Sequence, residues 1–233
     1  MLISAITKAI RCYYAGNNSQ FAFKKHLKPK IDKNDIDSIH LYIHVPFCSH
    51  CCPYCPYNKI QVDTNLVELF FKALETEIEL YHNTVGCINV SSIYFGGGSP
   101  ALFPGEVASV IEQLQKLFKV NGEICIEINP NDCTFENLQI LKNAGIKTVS
   151  VGVQSFQDIN LNIIGRSYNA QVAEKAVETV CSIFDSVNID LMFALPTQDN
   201  ESLLYDLSKA IGFGVNQITT YPLFTFPYTK VSN

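Results

Sequence analysis

Cys48, Cys51, Cys52 and Cys55 crowd the stretch HVPFCSHCCPYCPYNK, just after an apolar run. Thiols this close can pair, hold zinc, or hold the irons of an iron–sulfur cluster, and each use makes a different protein. Composition argues against pairing. The chain has 9 cysteines, an odd number, and Cys12, Cys87, Cys125, Cys133 and Cys181 are scattered singly through apolar or helical stretches. Disulfide-stapled secreted domains are short, cysteine-dense and supported by an export signal. The apolar run in MLISAITKAIRCYYAG is too short for such a signal. The reducing cytoplasm is the expected setting.

Parsing decides between zinc and a cluster. Cys48/Cys51 and Cys52/Cys55 read as two CxxC pairs, but structural zinc knuckles are usually separated by about a dozen residues or more. Here the second pair begins at the next residue. The other parsing is Cys48-x3-Cys52-x2-Cys55, with Cys51 a bystander. Three thiolates from one loop can hold three irons of a [4Fe–4S] cluster and leave the fourth iron open to a ligand; clusters with four cysteines carry electrons. Pro46, Phe47, Pro53 and Tyr54 would shield and restrain the loop. His44 and His50, tempting as ligands, read as loop or packing histidines.

The elements that must position this loop follow from periodicity. From Ile39 onward, short β-rich runs alternate with helical ones. Strands are expected in IHLYIHV, SSIYFGGGSP, EICIEINP, KTVSVGVQSF, SVNIDLMFALP and NQITTYPLF. Helices are expected in DTNLVELFFKALETEIELYHN, with Asp63 or Thr64 as cap and Leu66, Val67, Phe70, Phe71, Leu74 and Ile78 on one face, and in GEVASVIEQLQKLFKV, TFENLQILKNAG, AQVAEKAVETVCSIF and ESLLYDLSKAIGFG. Six alternating units imply an α/β fold of parallel strands wound in one direction. The chemically unusual residues gather at strand ends: the cysteine loop, Gly96–Gly98, Glu127 and Asn129, Gln154, Asp190 and Tyr221. Barrels and doubly wound sheets both build sites there, so the pattern says enzyme without choosing between them. Cys125 and Cys181 read as core. Tyr221 reads as packing against the barrel bottom of the substrate cavity.

The chain has 233 residues, 47% of them hydrophobic, enough for one well-buried domain. Residues 1–38 stand outside the alternation as an N-terminal extension, and 39–233 form the core domain. A net charge of −5 argues against a nucleic-acid binder. The basic FKKHLKPKIDKND reads as a solvated linker. No run of about 18 apolar residues suggests a membrane span.

The x3/x2 spacing, with an aromatic before the last cysteine, resembles the signature of radical S-adenosylmethionine (SAM) enzymes. Together LYIHVPFC, GGGSP, EINP, SVGVQSF, IGRSY and NIDLMFALPTQ resemble the oxygen-independent coproporphyrinogen III oxidase family and its heme-chaperone relatives. The resemblance covers about Leu41 to Thr229 and implies a partial (β/α)6 TIM-type barrel, the radical SAM core. It implies that Cys48, Cys52 and Cys55 ligate the cluster and that SAM chelates its open iron. Tyr42, Tyr54 and Gly97 would line that SAM, with Glu127 at the ribose. Gly98, Ser99, Gln154, Arg166, Asp190 and Phe224 would contact a second SAM, so one or two molecules bind. Glu127 and Asp190 lie among apolar neighbours, where a carboxylate needs a partner.

What the resemblance implies chemically is reductive cleavage of SAM to a 5′-deoxyadenosyl radical that takes hydrogen from a tetrapyrrole, with flavodoxin or ferredoxin as electron donor. Two departures bear on this. The oxidase carries a fourth cysteine two residues after the third, where this chain has Tyr57; the heme chaperones lack it too. The family's C-terminal domain is also absent after PYTKVSN, so the expectation is a truncated form or a further chain that closes the barrel. A radical SAM methyltransferase or cyclase of the same branch and a heme chaperone without oxidase activity remain as alternatives.

Overall fold

The computed structural model describes residues 38–224. The expected N-terminal extension, apart from Ser38, lies outside the described residues, as do Cys12, the basic linker and residues 225–233. In chain order the elements are β1 (Ser38–Val45), the two-residue strands β2 (Phe47–Cys48) and β3 (Ile60–Gln61), α1 (Thr64–Val85), β4 (Asn89–Gly97) and α2 (Pro104–Leu117), followed by β5 (Lys119–Ile128), α3 (Phe135–Asn143), β6 (Thr148–Gln154), α4 (Asp158–Ile163), α5 (Ala170–Ile183), β7 (Ser186–Phe193), α6 (Asn200–Gly212) and β8 (Gln217–Pro222). Short 3-10 turns follow β4 and β5. None of the described helices is long and apolar enough to cross a membrane.

The anticipated strands form one 6-stranded sheet in the order β1-β4-β5-β6-β7-β8, every pair parallel. Each strand adds beside its predecessor, so there is no point where the order reverses. A doubly wound sheet requires such a switch point. Right-handed crossovers repeated in one direction keep the helices on one face, and the result is a partial α/β barrel.

That one-sidedness explains the alternation in the strands. Parallel sheets covered on both faces read as continuous apolar runs. Here Val45, Val90, Ile93, Phe95, Ile126, Val149, Val151 and Ile189 are fully buried. The intervening positions carry Tyr94, Glu127, Ser150, Asn188, Asp190 and Tyr221. The helices return matching faces: Val67, Phe71, Ile78 and Val85 on α1; Val107, Val110, Ile111 and Leu114 on α2; Ala173, Ala176, Val177 and Val180 on α5. Leu66 departs from the expected α1 face and is 48% exposed. Asp63 is the α1 cap, accepting from the backbone N–H of Asn65 and Leu66; Thr134 caps α3 the same way.

Two thiols expected in the core are not there. Cys125 lies on the polar face between Glu123 and Glu127, and Cys181 is half-buried on α5. In Cys125 the strand's period of two decides, because its neighbours Ile124 and Ile126 already take the helix side.

Helix α4 is not separately resolved by sequence periodicity, and its polar neighbourhood is sealed by Asp206 of α6. This fully buried carboxylate accepts from the Ser155 hydroxyl at 2.7 Å, the Phe156 N–H at 2.9 Å and the Gln157 side-chain amide at 3.1 Å. Asn160 donates to the Ser155 and Ser202 hydroxyls. A buried donor left without an acceptor costs about 1–3 kcal/mol. Asp206→Ala strands three donors and should lower stability by roughly 3 kcal/mol or more, read as a fall in the urea midpoint. An unchanged midpoint would show that water replaces the carboxylate without loss.

Candidate functional site

The cysteine loop is closed at its base by β2 and β3, which pair Phe47 with Ile60 and Cys48 with Gln61. Phe47 fixes the root, with edge contacts to Phe70 and Phe103 at ring distances of 5.4 and 5.8 Å. Farther out, Gln61 donates to Ser49 O and Lys59 to Cys55 O, each at 2.5 Å, and His50 Nε2 donates to Gly165 O at 2.9 Å. His44 Nε2 donates to Asn58 O at 2.8 Å, which leaves Nδ1 to accept from the Tyr42 hydroxyl at 3.1 Å. The histidines are therefore loop braces, as expected of packing residues.

Cys48, Cys52 and Cys55 line one small cavity of about 60 Å³ together with Gly97, Gly98 and Ser99. Cys51 lines neither this cavity nor the larger one beside it. All of the described cysteines are free thiols. Among the described residues, no three or more His, Cys, Asp and Glu side chains converge where a single metal ion could sit. A polynuclear iron–sulfur cluster, which takes each thiolate on a different iron, suits three cysteines spread around one cavity. Burial, with added repulsion from the neighbouring thiols, pushes the Cys48 thiol up to about 12. Coordination is what would hold it as thiolate at neutral pH.

The glycine triplet at the end of β4 meets this loop through the protein's own packing. A Cβ on Gly98 would stand 2.5 Å from Phe47 O, and Gly97, at φ +115°, has the His44 ring 2.7 Å from its Cβ position. The N–H groups of Gly98 and Ser99 donate to Val45 O and Phe47 O at 2.8 Å. Ser99 is buried and its hydroxyl donates to Asp132 at 2.5 Å, so its side chain is committed to holding the turn. Glu127 sits beside the triplet, accepting from the Tyr94 hydroxyl at 3.0 Å and the Gly97 N–H at 3.1 Å. Burial, reinforced by the Glu127 carboxylate, raises the Tyr94 pKa and keeps its hydroxyl a donor.

The larger cavity, of about 240 Å³, collects Glu127, Gln154, Arg166, Asp190 and Tyr221, with Phe224 61% exposed. It shares Tyr54, Cys55, Gly98, Asn129 and Arg166 with the thiol cavity. Gln154 adopts φ +70° and accepts from the Tyr221 hydroxyl. Asp190 accepts from Ser150 at 3.2 Å and Asn188 at 2.8 Å. Of the residues anticipated from sequence, Tyr42 lines neither cavity. It is 59% exposed and its ring stacks on Tyr94. Tyr94, Ser150 and Asn188 escaped notice, although their inward register in alternating strands marks them. Tyr221 packs, as expected, against the buried cluster of Cys52, Tyr54, Ile164, Met192 and Leu195, and it also lines the cavity.

Burial raises the Asp190 pKa from its ordinary 3.8, opposed by the hydrogen bonds from Asn188 and Ser150. The native carboxyl then holds its proton at pH values where the unfolded chain has released it. Its contribution to stability is full below the unfolded value and is lost as pH rises through the raised native value. Asp190→Asn should therefore gain stability relative to the unaltered chain as pH rises from below 3.8 to neutral. Urea midpoints across that range test this; a constant difference would place the cost elsewhere.

Residues 42–209 match the radical SAM superfamily. The chain is 35% identical over 198 residues to the heme chaperone HemW of Haemophilus influenzae, covering 81% of this chain and 52% of that protein. It is 32% identical over 197 residues to the heme chaperone HemW of Bacillus subtilis, covering 82% and 52%. The chain thus spans about half the length of the curated relatives it matches. The solved coproporphyrinogen III oxidase HemN of Escherichia coli superposes with a TM-score of 0.74 at 28% identity, over 81% of this chain and 44% of that one. A radical SAM methyltransferase from Kitasatospora setae shares the fold alone, with a TM-score of 0.54 at 15% identity. With a match that runs from β1 into α6, the chain belongs to the radical SAM superfamily.

Proposed function

We propose that this chain is the cluster- and SAM-binding core of a tetrapyrrole-handling radical SAM enzyme, similar to the oxygen-independent coproporphyrinogen III oxidase. The observation that carries the reading is the shared wall between a cavity lined by Cys48, Cys52 and Cys55 and a larger polar one lined by Glu127, Gln154 and Asp190. When bound, the cluster and SAM supply reductive cleavage that opens substrate C–H bonds to chemistry no acid or base performs. The chain's own part is binding, orientation and exclusion of water.

In this reading Cys48, Cys52 and Cys55 hold the cluster, and Tyr54 and the prolines wall it from solvent. Glu127, fixed through Tyr94 and Gly97, accepts from the sugar hydroxyls of SAM, with Tyr42 at the rim. Gly98, Ser99, Gln154, Arg166, Asp190 and Phe224 form the place for a second SAM or the substrate. A small electron-transfer protein supplies the electron, and a further domain or chain covers substrate. The second reading, a heme chaperone, is favoured by the names of the matched relatives and by Tyr57, 69% exposed, at the position of the oxidase's fourth cysteine.

Anaerobic reconstitution with iron and sulfide assays tests the ligand set: Cys48→Ala, Cys52→Ala and Cys55→Ala should lose the cluster and Cys51→Ala keep it. A cluster retained in Cys52→Ala but lost in Cys51→Ala overturns the parsing. Incubation with SAM, reductant and a porphyrinogen separates the two functions. Production of 5′-deoxyadenosine with an altered tetrapyrrole supports the enzyme, and bound heme without turnover supports the carrier.

Glu127→Gln should leave iron content unchanged and weaken SAM binding. A hydrogen bond to a charged acceptor is worth about 1–3 kcal/mol, so affinity should fall by about one to two decades. Anaerobic equilibrium binding with an unchanged dissociation constant would return Glu127 to a purely structural role.

A further inference from the structure

Arg166 is one of two arginines in the sequence, with Arg11, and the resemblance assigns it to a second SAM. Its surroundings indicate a further task. Nη1 donates to Cys52 Sγ at 3.2 Å and Nη2 to Gly152 O at 2.6 Å. The guanidinium lies 5.2 Å from the Tyr168 ring centre and 6.0 Å from that of Tyr54. Tyr168 is itself tied to Gly152 O and Val153 O at 2.7 and 3.0 Å. A Cβ at Gly152 would stand 3.2 Å from Nη2, so the bare backbone there makes room for the fork. The side chain is held on every side.

No carboxylate is in ion-pair contact with this cation, and Asp190 acts on it only at longer range across the cavity they share. None of the ion pairs among the described residues includes Arg166, and its Nε is buried without a partner. A buried charge is costly unless it is paired. The sulfur of Cys52 is the one group in hydrogen-bond contact with the guanidinium that becomes anionic on binding metal. We infer that Arg166 is a positioning residue that donates an N–H···S hydrogen bond to the ligating Cys52 thiolate and thereby sets the reduction potential of the cluster. This rests on the proposed assignment of Cys52 as a cluster ligand. Hydrogen bonds to the sulfurs and local charge are among the levers that move such potentials. A cationic donor favours the more negative, reduced state, so Arg166 raises the potential and eases entry of the electron.

The loop around Arg166 supports this. His50 binds Gly165 O, and a Cβ on Gly165, at φ +67°, would meet Pro53 at 2.8 Å. Ile164 packs with Cys52 and Tyr54 in one buried cluster. Residues 164–166 thus form a saddle under the cysteine loop, and Arg166 is the part of it that reaches a sulfur.

The test uses the full chain, reconstituted anaerobically and titrated with EPR detection. Arg166→Gln should reduce at lower potential, with at least a tenfold fall in the reduced-to-oxidised ratio at a fixed applied potential, about 59 mV for one electron. Arg166→Lys, which keeps the charge, should recover part of the shift. An unaltered potential in Arg166→Gln at normal iron content overturns the inference. If Arg166→Gln fails to load, the Arg11→Lys chain labelled with 15N-arginine answers instead. Pulsed EPR of its reduced cluster should detect coupling to the labelled guanidinium, and no coupling refutes the contact. Absence of any cluster in the unaltered chain would sink the proposed function itself, and this inference with it.

Discussion

Apolar side chains occupy one face of the parallel sheet, and the other arrangements follow from that. Burial of Val45, Ile93, Phe95, Ile126, Val151 and Ile189 against the helices supplies the cohesion. The opposite face is freed from that task, so it can carry Tyr94, Glu127, Ser150 and Asp190. Polar groups so placed must satisfy one another. Gln217 donates to Thr219, Thr219 to Asn188, and Asn188 to both Ser150 and Asp190, a ladder across three strands. The ladder holds the Asp190 carboxyl in place, so the cavity has fixed polar groups before any ligand enters.

The cysteine loop, by contrast, takes its shape from outside itself. Its internal backbone bond from Cys55 to Cys52 is long, at 3.3 Å. Its fixed points are contributed by the strand ends around it: Phe47 among aromatic rings, Ser99 on Phe47 O, Gly165 beneath His50 and Pro53, Arg166 on Cys52. Three thiols on so short a segment would sample many arrangements alone. External bracing reduces that entropy before metal binds, the physical meaning of preorganisation.

Much of this was legible in the sequence because it is local. The period of two in HLYIHV and EICIEI marks strands with one wet face, Asp63 and Thr134 announce helix starts, and the x3/x2 spacing separates Cys51 from its neighbours. What stayed hidden depends on contacts between distant residues. The β2–β3 pairing is two residues long and shows no period. Tyr221 reaches Gln154 across 67 positions, and Arg166 reaches Cys52 across 114. Gly97 and Gly98 suggest close approach, yet only the fold reveals that His44 and Phe47 already approach them. Cys125 misleads because isoleucine neighbours read as core when the strand in fact turns its thiol the other way.

Two non-glycine residues, Gln154 at φ +70° and Ala194 at φ +59°, occupy the left-handed region at the end of β6 and just after β7. Each costs about 1–2 kcal/mol relative to a relaxed backbone. They differ in what that cost secures. At 154 the twist turns a buried amide toward Tyr221, and a glycine there would relieve the strain while deleting the contact. At 194 the methyl group is exposed, and glycine would relieve the strain at no loss of contact. Thermal adaptation of this scaffold therefore has an open route at one strand end and a closed one at the other. A heat-tolerant descendant would be expected to change Ala194 while keeping Gln154, because only the second strain is part of the larger cavity.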